Sequence, residues 1–111
     1  MKIFDENYYT IHGWMLNRLN LKGTALMVYA IIYGFSQDGQ SEFTGSRQYL
    51  CNFIGATKPT IDKALEELCN KELIIKISEV KNGIIFNRYK ISYTALKNFT
   101  TDKETLLPGR R

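Results

Sequence analysis

At 111 residues the chain has room for one domain with a real core, but not for a core plus a separate catalytic module. A hydrophobic content of 44% and an aromatic content of 13% exclude a disordered polypeptide. The net charge of +4 is unevenly placed: residues 1–45 carry three Lys/Arg against four Asp/Glu, residues 46–70 three against three, and residues 71–111 nine against four.

The opening Met1-Lys2-Ile3-Phe4-Asp5-Glu6 has acids where a signal peptide would carry an apolar run, which points to a cytoplasmic chain. Tyr8 to Ile11 reads as a short strand able to pair with a later hairpin, and His12 to Leu19 as a short helix carrying Trp14, Met15 and Leu19. Asn20 is expected to cap the helix after it. From Leu21 to Phe35 the chain is apolar almost all round, the pattern of a helix buried on most faces. The run is too short to span a bilayer, which needs about 20 residues. Tyr29, Tyr33 and Phe35 at helical spacing read as core rather than as the lining of a ligand pocket. Ser36 to Gly45, with two glycines among polar residues, is expected to be a connecting loop.

The next stretch carries the most information. Tyr49, Leu50, Phe53 and Ile54 fall on one helical face, with Ser46 as N-cap and Gly55 as the stop, because the residue past a helix end often needs positive φ. Thr57 is expected to cap a second helix whose Ile61, Ala64, Leu65 and Leu68 follow i, i+3, i+4, i+7, with Pro59 in the first turn, where a missing N–H is harmless. Two helices around a tight glycine turn suit a helix-turn-helix unit, and they equally suit an αα-hairpin that only packs. Two β-rich runs come next, Leu73 to Ser78 and Ile84 to Tyr93, joined by Val80-Lys81-Asn82-Gly83. Asn-Gly between such runs signals a type I′ hairpin, since both central residues need positive φ. Strand alternation suggests that Ile75 and Ile77 share the packed face with Tyr89 and Ile91, leaving Lys76, Arg88 and Lys90 outward and Lys81-Asn82 at the tip. Thr94 to Phe99 is expected to add a turn of helix, and residues 100–111 a flexible polar tail after a domain spanning 1–99. Cys51 and Cys69, one on each central helix, read as reduced core rather than a disulfide.

The order helix-turn-helix, then hairpin, is the plan of a winged helix, an α+β fold with a three-helix core and a C-terminal β-hairpin wing, here preceded by a short N-terminal strand and helix. The string Y-L-C-N-F-I-G-A-T-K-P-T-I-D-K-A-L-E-E-L-C-N-K-E-L-I resembles the winged-helix pattern Y-L-A-x-x-L-G-V-S-x-x-T-V-x-x-A-L-x-x-L-x-x-K-G-L-I of bacterial transcription regulators and of the amino ends of plasmid and phage replication initiators, including the DnaD-like proteins. Tyr49-Leu50, Gly55, Thr57, Thr60-Ile61, Ala64-Leu65, Leu68, Lys71 and Leu73-Ile74 sit on the shared positions. The upstream Tyr8-Tyr9-Thr10-Ile11 and Trp14-Met15-Leu16 resemble the initiator branch. Cys51 stands where alanine is usual and Glu72 where glycine is usual, so the bend into the wing is a point to test. The resemblance covers residues 8–93 and implies double-stranded DNA binding, in replication or in transcription.

Catalytic chemistry has little to stand on. The one histidine, His12, has no triad or zinc-ligand spacing around it, and no glycine-rich phosphate loop occurs. Adjacent Glu66 and Glu67 on a helix point in different directions and cannot share a proton site. A nicking initiator would need a metal-binding histidine pair, so a replication role would be one of binding, with no enzyme activity, cofactor or metal expected. The expected partner is double-stranded DNA, with no membrane, and with a second copy or a larger replication assembly as the oligomeric options. The alternative is a winged helix that binds protein instead. The DNA-contacting set is Arg47, Thr57, Lys58, Pro59, Thr60, Lys63, Lys81, Asn82, Arg88 and Lys90, with Thr60 and Lys63 as base readers. Against this, Asp62, Glu66 and Glu67 keep the second helix from being basic overall. Five phosphate contacts, from Lys58, Lys63, Lys81, Arg88 and Lys90, would give a slope of log K on log salt of about −4 to −5.

Overall fold

The structure, a computed structural model, describes residues 2–36 and 42–94. Four helices, α1 (Gly13–Asn17), α2 (Gly23–Phe35), α3 (Arg47–Ile54) and α4 (Lys58–Asn70), precede an antiparallel hairpin of β1 (Ile74–Lys81) and β2 (Ile84–Ile91). This is the winged helix-turn-helix architecture. The expected turn over Thr94 to Phe99 lies, apart from Thr94, outside the described residues, as does the boundary at 99/100.

α2 is the central post. Ala25, Leu26, Val28, Tyr29, Ala30, Ile31 and Ile32 are all buried, as an all-round apolar helix requires. Burial pushes the Tyr29 hydroxyl far above its ordinary titration range, with neighbouring Tyr33 and Tyr93 adding to the shift. Against α2 pack Met15, Leu19 and Leu21 from the N-terminal segment and Ile61, Ala64, Leu65 and Leu68 from α4. Trp14, at the start of α1, meets Tyr29 and Tyr33 edge-on at ring separations of 6.2 and 5.3 Å, and His12 stacks on Trp14 at 5.7 Å. Among the described residues no helix is long and apolar enough to cross a membrane.

Three local expectations differ from what is observed. Asn20 does not cap α2: it takes a left-handed φ of 57°, and Lys22 occupies the N-cap position. Tyr8 to Ile11 forms no strand; Tyr9 instead lays its ring edge-on against Phe53 of α3 at 5.0 Å. The strand-like partner of the wing comes from the stretch read as a loop, where Phe43 exchanges two backbone hydrogen bonds with Tyr89, at 2.6 and 3.1 Å. Phe43 is fully buried, with Phe35 and Tyr49 beside it at ring separations of 5.1 and 5.9 Å, so this bridge ties the base of the wing to α2 and α3.

Candidate nucleic-acid interface

α3 starts at the expected place: the Ser46 hydroxyl accepts the Tyr49 N–H at 3.1 Å, satisfying one orphan donor of the first turn. Its end is a left-handed cap, with Gly55 at φ 82° and the N–H groups of Gly55 and Ala56 both donating to the Cys51 carbonyl at 2.7 and 3.1 Å. That tight turn sets α4 across α3. Pro59 falls in the first turn of α4, and Thr57 is the N-cap by backbone geometry. The Thr57 side chain does not cap, however. Its hydroxyl pairs with the Thr60 hydroxyl at 3.0 Å, on the exposed side of the helix start.

With Ile61, Ala64, Leu65 and Leu68 buried, the outward face of α4 carries Thr57, Lys58, Pro59 and Thr60, then Asp62, Lys63, Glu66 and Glu67. The acids of this face are partly answered from neighbouring elements. Arg47, at the start of α3, pairs with Asp62 at 2.6 Å, both half-exposed, and Lys71 pairs with Glu67 at 3.3 Å. Arg47 therefore offsets one of the carboxylates on this face. Among the described residues no ion pair involves Lys58 or Lys63, so the N-terminal half of α4 presents two uncompensated cations beside the paired threonine hydroxyls.

The exit of α4 answers the question posed by Glu72. This residue adopts φ 60°, its N–H donates to the Cys69 carbonyl at 2.9 Å, and the Leu73 N–H donates to the Leu68 carbonyl at 3.0 Å. These are the two bonds of a Schellman cap, with buried Leu68 and Leu73 as its apolar contact, so the bend is kept without glycine.

The wing turns on Asn82 (φ 52°) and Gly83 (φ 78°), the left-handed pair of a type I′ turn, with Lys81 opposite Ile84. From that closing pair the register runs Val80 with Ile85, Glu79 with Phe86, Ser78 with Asn87, Ile77 with Arg88, Lys76 with Tyr89, Ile75 with Lys90 and Ile74 with Ile91. Directly opposed residues share a face. The packed face is therefore Ile74, Ile91 and Tyr89 with Lys76, while Ile75 and Ile77 lie on the other face with Arg88 and Lys90. The expected pairing of Ile75 and Ile77 with Tyr89 and Ile91 is wrong by one residue on β1.

Two further wing assignments change in character. Arg88 lies on the face away from the core, as expected, but it is not a free cation, because its guanidinium is held by Glu42 at 2.9 Å and Glu79 at 2.8 Å. Lys81 remains well exposed beside Glu79, at 3.9 Å, and Asn82 stands at the tip as expected. Lys90 is half-buried and Lys76, outside the predicted set, is exposed, with no ion pair to either among the described residues. The sequence reading also missed the apolar tip: Val80, Ile84, Ile85 and Phe86 are 67%, 58%, 66% and 49% exposed. The consecutive Ile84-Ile85-Phe86 was the available signal, since an unbroken apolar run in a two-stranded wing must show both faces.

Between α4 and the wing lies an open groove of about 920 Å³, with Arg47, Asp62, Glu66 and Lys76 above a floor that includes Leu65, Phe86 and Tyr89. Burial raises the Cys69 thiol, with Lys76 pulling the other way, and burial raises the Tyr89 hydroxyl. Both stay protonated at neutral pH, so the charged groups lining the groove are two cations, Arg47 and Lys76, and two carboxylates, Asp62 and Glu66. Cys51 and Cys69 are free thiols. Among the described residues no group of three His, Cys, Asp or Glu could hold a metal ion.

The fold has known counterparts. The chain is similar to a possible transcriptional regulator from Methanosarcina mazei Go1, at a TM-score of 0.57 and 18% identity over 91% of this chain and 82% of that one. It is similar to the N-terminal domain of a DNA binding protein, at 0.57 and 21% over 84% and 86%. The protein of a Rep-DNA complex superposes at 0.56 and 19% over 84% and 87%. At these identities the likeness is one of fold. No curated protein matches the chain. Residues 19–74, just over half of the 111, match the helix-turn-helix domain family, and that span takes in α2, α3, the glycine turn, α4 and the bend into the wing: the chain belongs to the helix-turn-helix domain family.

Proposed function

We propose that this helix-turn-helix protein binds double-stranded DNA with the N-terminal half of α4 in the major groove and the β1–β2 wing on the flanking backbone. It acts by binding rather than by catalysis, as a replication-initiator-like protein or a transcription regulator. The observation that carries the reading is the outward face of α4. Lys58 and Lys63 are exposed and unpaired among the described residues, Thr60 stands between them, and Ile61, Ala64, Leu65 and Leu68 are turned inward. The N-terminal residues of a recognition helix are the ones that reach base edges. Arg47 supports the reading from the second row, since its pairing with Asp62 removes a carboxylate charge that would repel phosphate.

The two roles are suggested by the neighbours, one a possible transcriptional regulator and one part of a Rep-DNA complex. They differ in the sites they need. Selection of bound sequences from random duplexes separates them: a palindrome implies a two-fold dimer, and short direct repeats imply an initiator on an origin array. With Arg88 internally paired, about four cations remain for phosphates, Lys58, Lys63, Lys81 and Lys90, and the expected slope of log K on log salt is about −3 to −4. A binding constant indifferent to salt, or no selected sequence at all, overturns the proposal and leaves a protein-binding winged helix.

A further inference from the structure

The wing is a blade that is charged at its base and apolar at its tip. Toward the tip, beyond the Ser78/Asn87 pair, the one cation is Lys81, with Glu79 at 3.9 Å, and Arg88 just inside that pair is held by Glu42 and Glu79, while Val80 and Ile85 project from one face and Ile84 and Phe86 from the other. All four are about half exposed or more, around a tip only two residues wide, Asn82-Gly83. A flat protein surface could cover one of these faces; a slot covers both. The groove bordered by Asp62 and Glu66 of α4 and by Ile85 and Phe86 of β2 sets the blade beside the face of α4 assigned to the major groove. The slot next to a major groove, one phosphate backbone away, is the minor groove, where apolar side chains wedge between base steps and kink the duplex.

We infer that the wing tip, through Ile84 and Ile85 with Val80 and Phe86 behind them, inserts as an apolar wedge into the DNA minor groove beside the α4 site and bends the duplex. This rests on the DNA-binding reading and deepens it. The wing then reads deformability in place of base edges, and it favours pyrimidine–purine steps such as TA and CA, which unstack most easily. The wedge side chains' own contribution to affinity, apart from the Lys81 and Lys90 phosphate contacts, is insensitive to salt, because apolar groups release few counterions.

The test uses the full chain and a duplex of about 30 base pairs carrying a selected site, with donor and acceptor dyes at its ends and 2-aminopurine at the flanking step. The parent should shorten the end-to-end distance and raise the 2-aminopurine fluorescence. Ile84→Ser/Ile85→Ser, at exposed positions and checked for an unchanged melting temperature, should lose both signals and bind about tenfold or more weakly with the same salt slope. Ile84→Leu/Ile85→Leu should retain them. An unbent duplex with the parent, or a serine variant that bends and binds like the parent, overturns the wedge. So does a parent dimer without DNA that the serine variant dissociates, which would make the blade an interface between copies. Failure of the parent to bind any duplex instead overturns the underlying DNA reading.

Discussion

α4 and the tip of the wing border one groove and present opposite chemistry. α4 turns Ile61, Ala64, Leu65 and Leu68 inward and shows solvent its lysines, threonines and carboxylates with Pro59, so its exposed face is largely polar. The wing beyond Ser78 has no core to turn toward, and it shows Val80, Ile84, Ile85 and Phe86 while its charges pair with one another. A count of basic residues along the sequence assigns the positive character to the wing; the ion pairs take Arg88 out of that count and leave Lys58 and Lys63 of α4, with Lys76 and Lys90 of the wing, unpaired among the described residues. Charge available to a partner depends on which carboxylates the fold brings alongside, and Glu42 lies 46 positions from the Arg88 it neutralises.

The widest gap between the two regions should appear in stability. Leu68 is fully buried, and Leu68→Ala should cost about 2–5 kcal/mol through lost burial and the cavity left behind. Val80→Ala at the tip should change stability by about 0.5 kcal/mol or less. Urea unfolding of both variants checks this. Equal losses would mean that the tip packs against something the exposed surface does not show.

Sequence preference should divide the same way. Thr60→Ala and Lys63→Ala should each relax discrimination at one or two base pairs by about 1–3 kcal/mol, measured by repeating the selection from random duplexes. Arg88→Ala should leave base preference unchanged. Preference untouched in both α4 variants would move base reading elsewhere.

The salt slope sharpens the comparison further. Lys58→Ala should flatten it by about one unit, the effect of one lost phosphate contact. Arg88→Ala should flatten it by much less than one, since Glu42 and Glu79 already hold that guanidinium. It should act on stability instead by leaving two carboxylates side by side. A full unit lost with Arg88→Ala would show that DNA breaks these pairs.

What the sequence made legible is what local chemistry fixes: the Ser46 cap, the Gly55 turn, Pro59 in the first turn of α4 and the Asn82-Gly83 hairpin all depend on residues within a few positions of one another. The bridge from Phe43 to Tyr89 and the pairs Arg47–Asp62 and Arg88–Glu42 join distant segments, and no local pattern encodes them. The wing faces are an intermediate case. Adjacent Ile74 and Ile75 allow two phases of alternation, and the phase that pairs Ile75 with Tyr89 looks as apolar as the other. A two-residue turn nevertheless closes on Lys81 and Ile84, and counting back from that pair sets Lys76 opposite Tyr89. The information lay in the turn, while strand alternation by itself was ambiguous.

The joint between the two regions should give the smallest effect. α3 and α4 end in the same kind of left-handed cap, with glycine at 55 and glutamate at 72, at φ 82° and 60°. A side chain in that conformation crowds its own carbonyl, at a cost of about 1 kcal/mol, which glycine avoids. Glycine also enlarges the unfolded ensemble, which returns roughly half of that gain. Glu72→Gly should therefore stabilise the protein by about 0.5 kcal/mol, a rise in melting temperature of about 2–4 °C for a domain of this size. The two cap hydrogen bonds, to the Cys69 and Leu68 carbonyls, use backbone groups alone, so the wing should keep its position and DNA affinity should not change. Glu72→Val, with a branched Cβ at the same φ, should lower the melting temperature. If Glu72→Gly lowers it too, the exposed glutamate side chain holds the joint by a contact of its own, and the backbone account of the bend fails.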